Sequence, residues 1–159
     1  MRKKYGIIVG LILLIGCCFV TSSAYADEFV RIRNKWKDNQ FVHIQEGSIK
    51  CGSIEKGWWS AQWTLVKVDG TNYYRIKNRW KNDRYIHIEN GFIECSPIKE
   101  GWWSAQWIIE KVDENHYRIK NRWKSDRYIH IEKGILECSS IEEGWWSDQW
   151  TFQPLSNQK

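Results

Sequence analysis

The stretch from Val30 to Trp150 is written three times over. "VRIRNKWKDNQFVHIQEGSIKCGSIEKGWWSAQW" runs from Val30 to Trp63, "YRIKNRWKNDRYIHIENGFIECSPIKEGWWSAQW" from Tyr74 to Trp107, and "YRIKNRWKSDRYIHIEKGILECSSIEEGWWSDQW" from Tyr117 to Trp150. The copies are offset by 44 and then 43 residues, and the one-residue difference falls between repeats, in "VDGTNY" against "VDENH". A fixed period of this length restricts the chain to architectures in which copies of one supersecondary unit bury each other's apolar faces. All 12 tryptophans belong to the pattern, four to a repeat.

Within a copy the apolar period is two, which predicts strands. In the second repeat Tyr74, Ile76 and Asn78 alternate with Arg75, Lys77 and Arg79; Ile86 and Ile88 alternate with Tyr85, His87 and Glu89. Asn90-Gly91 reads as a hairpin turn with positive φ at both residues. Ile93 and Cys95 then face one way with Glu94 opposite, and Trp107 and Ile109 open a fourth strand. Each unit is therefore four short strands with little or no helix. A propeller needs more blades than three, and β-branched, period-two segments exclude helical solenoids. Three-fold closure of four-stranded units leaves few open strand edges.

The run "YRIKNRW…YIHI…G…QW", three times repeated, resembles the β-trefoils of the ricin-B-type lectin superfamily, over about residues 29–155. Gln62, Gln106 and Gln149 stand directly before their tryptophan, giving Gln-Trp where that superfamily has Gln-x-Trp. His43, His87 and His130 replace its second-strand Asp, and the "GWWS" element lies outside its motif. The resemblance implies an all-β fold, a β-trefoil of three four-stranded repeats with pseudo-three-fold symmetry. It also implies a carbohydrate-binding, lectin-like role.

Ahead of the repeats, Arg2, Lys3 and Lys4 precede an apolar run from Tyr5 to Val20 and a small-x-small site at Ala24-Tyr25-Ala26. That layout predicts a signal peptide over 1–26 and a secreted domain over 27–159, with repeats at about 30–73, 74–116 and 117–155. The alternative is a lipid anchor on Cys17 within "LIGC", holding the protein at the cell surface. Removing residues 1–26 takes three basic and no acidic residues, leaving 21 against 19. A nearly neutral chain with interleaved charges has no electrostatic footprint for nucleic acid. For the same reason it has no strong pull to anionic membranes, and no insertion of the mature chain is expected.

The tryptophans sort by phase. Trp63, Trp107 and Trp150 lie in step with inward residues and are assigned to the core. Trp36, Trp80 and Trp123 end the first strand in phase with its inward side and are expected to close the barrel end. The adjacent pairs Trp58-Trp59, Trp102-Trp103 and Trp145-Trp146 should point opposite ways in extended backbone. Either both plug the base of the fold, or one of each pair is presented to a sugar ring or a protein. By alternation His87, Glu89 and Glu94, with their counterparts His130, Glu132 and Glu137, face outward. Together with the paired tryptophans they form the candidate ligand-binding set. The first repeat carries His43, Gln45 and Lys50 there, so the second and third repeats are the expected competent ones.

Cys51, Cys95 and Cys138 occupy one inward position per repeat and read as small buried hydrophobes. No tight metal-ligand spacing occurs, and no cofactor is implied. Ser60, Ser104 and Ser147 read as turn or cap hydroxyls, and the same residues in triplicate do not make an asymmetric catalytic constellation. The expected protein is a secreted, non-catalytic, monomeric module binding a glycan or polysaccharide at up to three weak sites. The alternative is a protein-interaction module of inhibitor or adhesion type on the same scaffold.

Overall fold

The computed structural model describes residues 28–155; the predicted signal peptide and Cys17 lie outside them. The first repeat supplies β1 (Val30–Asn34), β2 (Phe41–His43), β3 (Lys50–Gly52) and β4 (Trp63–Lys67). The second supplies β5 (Tyr74–Asn78), β6 (Tyr85–His87), β7 (Glu94–Ser96) and β8 (Trp107–Lys111). The third supplies β9 (Tyr117–Asn121), β10 (Tyr128–His130), β11 (Glu137–Ser139) and β12 (Trp150–Pro154). Single turns of 3-10 helix at Trp59–Ala61 and Trp103–Ala105 are the only helical segments among the described residues.

The pairings close a ring. β1 pairs with β4, β4 with β5, β5 with β8, β8 with β9, β9 with β12 and β12 with β1, all antiparallel. The three five-residue pairings in that ring, β4–β5, β8–β9 and β12–β1, all join one repeat to the next. Closure thus depends on every repeat at once and leaves the barrel no open edge. The remaining strands form the hairpins β2–β3, β6–β7 and β10–β11. Gly91 in the β6–β7 connection has φ +89, but Asn90 does not share that sign, because no non-glycine residue among the described ones has positive φ. The connection is longer than the two-residue turn expected from Asn-Gly, since pairing stops at His87↔Glu94.

The core is built in three-fold layers. Ile32 faces Phe152, Leu65 faces Ile76 and Ile109 faces Ile119 across the inter-repeat pairings. Trp63, Trp107 and Trp150 are fully buried. Each indole N–H donates to a carbonyl of its own repeat's second strand, at Val42 (2.9 Å), Ile86 (3.0 Å) and Ile129 (2.8 Å). A buried indole with its one donor satisfied contributes its full apolar area. The cysteines sit at the core margin as free thiols, and burial pushes each thiol up to about 12, so they stay protonated and inert.

Candidate functional site: clefts between neighbouring repeats

The twin-tryptophan loop splits its two indoles. The second member is open to solvent in every repeat, with Trp59 and Trp103 54% and Trp146 59% exposed. The first member folds back over the second strand. Trp58, Trp102 and Trp145 meet His43, His87 and His130 edge-on, with ring centroids 5.4, 5.5 and 5.5 Å apart.

This packing overturns the outward placement of the histidines. His87 and His130 are each only 1% exposed and His43 6%. The strand is covered on both sides, by the core and by the folded-back indole, so Ile86, His87 and Ile88 are all buried and alternation fails there. Nδ1 of His87 accepts the Glu89 backbone N–H at 3.3 Å, and Nε2 lies 2.7 Å from the Ser96 hydroxyl. His130 does the same with Glu132 and Ser139. In the first repeat Gly52 takes the serine's place, 3.2 Å from the His43 Nε2 at its would-be Cβ. The histidines therefore brace the folded-back indoles and are closed off from solvent.

Burial lowers all three imidazole pKa values below 6.5, opposed by Glu94 and Glu89 at His87, by Glu137, Asp148 and Glu132 at His130, and by Glu46 at His43. A group held neutral in the folded state contributes stability that is present above its unfolded pKa and lost as pH falls through the lower folded value. The urea midpoint is expected to fall between pH 7.5 and 5.5, with loss of near-ultraviolet circular dichroism from the stacked indoles. A midpoint that stays flat or rises over that range would contradict neutral bracing histidines.

The tryptophans that end the first strand are the second correction. Trp36, Trp80 and Trp123 are nearly half exposed and close no barrel end. The strand stops two residues earlier, at Asn34, Asn78 and Asn121. The Asn121 carboxamide oxygen accepts the backbone N–H groups of Trp123 (2.9 Å) and Lys124 (3.1 Å), turning the chain outward. Its Nδ2 donates to the Ser104 carbonyl (2.9 Å) in the preceding repeat's twin-tryptophan loop. Asn34 and Asn78 hold Ser147 and Ser60 in the same way.

Each site is thereby assembled from two repeats. A cleft of about 370 Å³ is lined by Glu89, Gly101, Trp102, Trp103, Ser104 and, from the third repeat, Trp123. A second, of about 440 Å³, is lined by Glu132, Gly144, Trp145, Trp146, Ser147 and, from the first repeat, Trp36. The residues at the equivalent positions of the remaining junction are Gln45, Trp58, Trp59, Ser60 and Trp80. The serine hydroxyls, read from sequence as turn or cap hydroxyls, instead donate to the acid two residues past the second strand, Ser104 to Glu89 and Ser147 to Glu132, both at 2.5 Å. Ser60 donates to Gln45 at 2.6 Å.

A cation sits behind each open indole. The Arg79 guanidinium lies 4.2 Å from the Trp59 ring and 4.2 Å from Phe29, and Arg122 lies 4.1 Å from Trp103 and 4.4 Å from Tyr73. Lys35 takes this role at Trp146, 5.2 Å away, and pairs with Asp113 at 3.2 Å. Gln62, Gln106 and Gln149 anchor these cations through their side-chain oxygens. One indole face is therefore covered and the other left open, a platform with fixed orientation. Glu94 and Glu137 are not among the cleft-lining residues: Glu94 accepts from Asn90 at 2.7 Å, and Glu137 pairs with Lys133 at 3.7 Å.

The third repeat adds Asp148, where the others have Ala61 and Ala105. It is fully buried, 2.6 Å from Arg118 Nε, and burial raises its carboxyl pKa against the pull of that guanidinium. Among the described residues no cluster of His, Cys, Asp and Glu could hold a metal ion, and no helix is long and apolar enough to cross a membrane.

Solved structures share the fold. A designed three-fold symmetric protein, ThreeFoil, superposes with a TM-score of 0.69 at 17% identity, over 80% of this chain and 99% of its own. The chain is a β-trefoil. The trefoil also matches the GlcNAcα1-4Gal-releasing endo-β-galactosidase of Clostridium perfringens, with a TM-score of 0.73, 33% identity and 81% of this chain covered. It spans only about a third of that enzyme's length, 33%. The Polyporus squamosus lectin, solved with Neu5Acα2-6Galβ1-4GlcNAc, superposes with a TM-score of 0.67 at 16% identity, over 80% of this trefoil and 49% of the lectin. No protein-family model and no curated protein matches the chain.

Proposed function

We propose that this trefoil is a non-catalytic carbohydrate-binding module that acts outside the cell as a monomer, released by cleavage after Ala26 or held by a lipid on Cys17. The observation that carries the reading is the cleft found at two repeat junctions, with equivalent residues at the third, in which two open indoles from neighbouring repeats flank a hydroxyl-anchored polar side chain. An indole with one face covered and one free suits the apolar face of a pyranose ring, and Glu89 and Glu132 each keep an oxygen able to accept from vicinal hydroxyls. The 33%-identical segment of a galactosidase and the lectin neighbours support a saccharide as ligand. Individually weak sites on one rigid body gain avidity on a repeating polymer.

The test is titration of intrinsic tryptophan fluorescence against a panel of glycans and cell-wall polysaccharides. A saturating shift is expected, with more than one site per chain. The combined change Trp59→Ala, Trp103→Ala and Trp146→Ala should abolish it while moving stability by no more than about 0.5 kcal/mol per surface site. Binding that survives this triple change would place the ligand elsewhere, and one protein partner bound per chain would favour the interaction-module alternative.

A further inference from the structure

The three twin-tryptophan loops place equivalent residues together but differ in charge. In the first, Gln45 stands where Glu89 and Glu132 stand in the others. Its carbonyl oxygen takes the Ser60 hydroxyl, so the amide NH2 is the group left to meet a ligand. The other two clefts offer a carboxylate oxygen at that point, which only accepts. Both open indoles of the first cleft also carry a cation, Arg79 against Trp59 and Lys81 against Trp80 at 4.5 Å. At the position of Glu89 and Glu132 the first repeat has the neutral Gln45, with no charge there to offset them.

The second cleft sets Glu89 against its own pair of cations, Arg122 and Lys124. The third goes further toward negative charge. Its cations are Lys35, already paired with Asp113, and Lys37 against Trp36 at 4.8 Å; Glu132 lies in the cleft, and exposed Glu142 and Glu143 directly precede Gly144. In the first repeat the same two loop positions are Glu55 and Lys56, of cancelling charge. The set of charged side chains around the loops therefore becomes more negative from the first cleft to the third.

We propose that the first cleft is selective for a carboxylate-bearing sugar, a uronic acid or a similar acidic residue, while the second and third take uncharged rings. This rests on the carbohydrate-binding reading above and assigns Gln45 as its specificity-determining residue. A carboxylate there meets an N–H donor and two cations around indoles already aligned. In the third cleft the same group meets Glu132 and suffers like-charge repulsion, which is how a shared scaffold discriminates ligands.

The test uses a glucuronate-containing oligosaccharide and its carboxyl-reduced, neutral counterpart, which present the same ring skeleton. Both are titrated against the otherwise intact protein carrying Trp103→Ala and Trp146→Ala, in which only the first cleft keeps its platform. The acidic form is expected to bind in preference, with an affinity that weakens as salt rises. Adding Gln45→Glu should lower acidic-sugar affinity about tenfold and leave the neutral form within about twofold. In the complementary Trp59→Ala protein the acidic preference should vanish while neutral binding persists. Equal binding of both forms by the first cleft, or an acidic preference that survives Gln45→Glu, overturns the inference and leaves the sugar reading standing. Failure of every saccharide at every cleft overturns both.

Discussion

Trp107→Ala is expected to destabilise the protein by about 3–5 kcal/mol, the range for deleting a large buried aromatic. Trp103→Ala, four residues away in the same loop-strand unit, should shift stability by no more than about 0.5 kcal/mol. Trp107 is fully buried, opposite Asn121 across the β8–β9 pairing, and its indole N–H is bound to the Ile86 carbonyl. Its removal leaves a cavity at the barrel wall and an unpartnered buried carbonyl. Trp103 projects into solvent with Arg122 behind it, so its loss exposes little that was covered. Urea denaturation of the two variants checks the contrast. Similar midpoints would mean that the sorting of indoles into scaffold and platform is wrong.

Asn121→Ala should cost about 2–4 kcal/mol, because it strands several buried backbone groups at once. The side chain satisfies the Ser104 carbonyl and the Trp123 and Lys124 N–H groups, and it is fully buried. Those bonds tie the twin-tryptophan loop of the second repeat to the Trp123 turn of the third. The second cleft should therefore lose its ligand response even where the protein is still folded, while the first and third clefts keep theirs. Hydrogen exchange at Trp103 and Trp123 is the direct readout, expected to quicken together. Faster exchange at only one of the two would show that the asparagine does not couple the repeats.

Much of this was legible without coordinates. Triplication and period-two patterning led to twelve strands in three units, because a repeated unit with an apolar face has few ways to close. The core assignment of Trp63, Trp107 and Trp150 followed from phase along the fourth strand, and they are fully buried. Phase failed where the chain left regular strand. Trp36, Trp80 and Trp123 follow an asparagine turn that no alternation rule describes. His43, His87 and His130 are buried because a loop some 15 residues later covers their outward side. A signal for the rear cation was present in the sequence, since a Lys or Arg precedes that outward tryptophan in every repeat, at Lys35, Arg79 and Arg122.

The amino-acid sequence by itself determined the number of units, the strand class, the core indoles and the charge difference among repeats, since each depends on local pattern. Only the tertiary structure decided that each cleft belongs to two repeats. The indole of one repeat lines a cleft with the tryptophan of the next because the barrel closes through the β4–β5, β8–β9 and β12–β1 pairings. That juxtaposition is a property of ring closure, and no single repeat contains it.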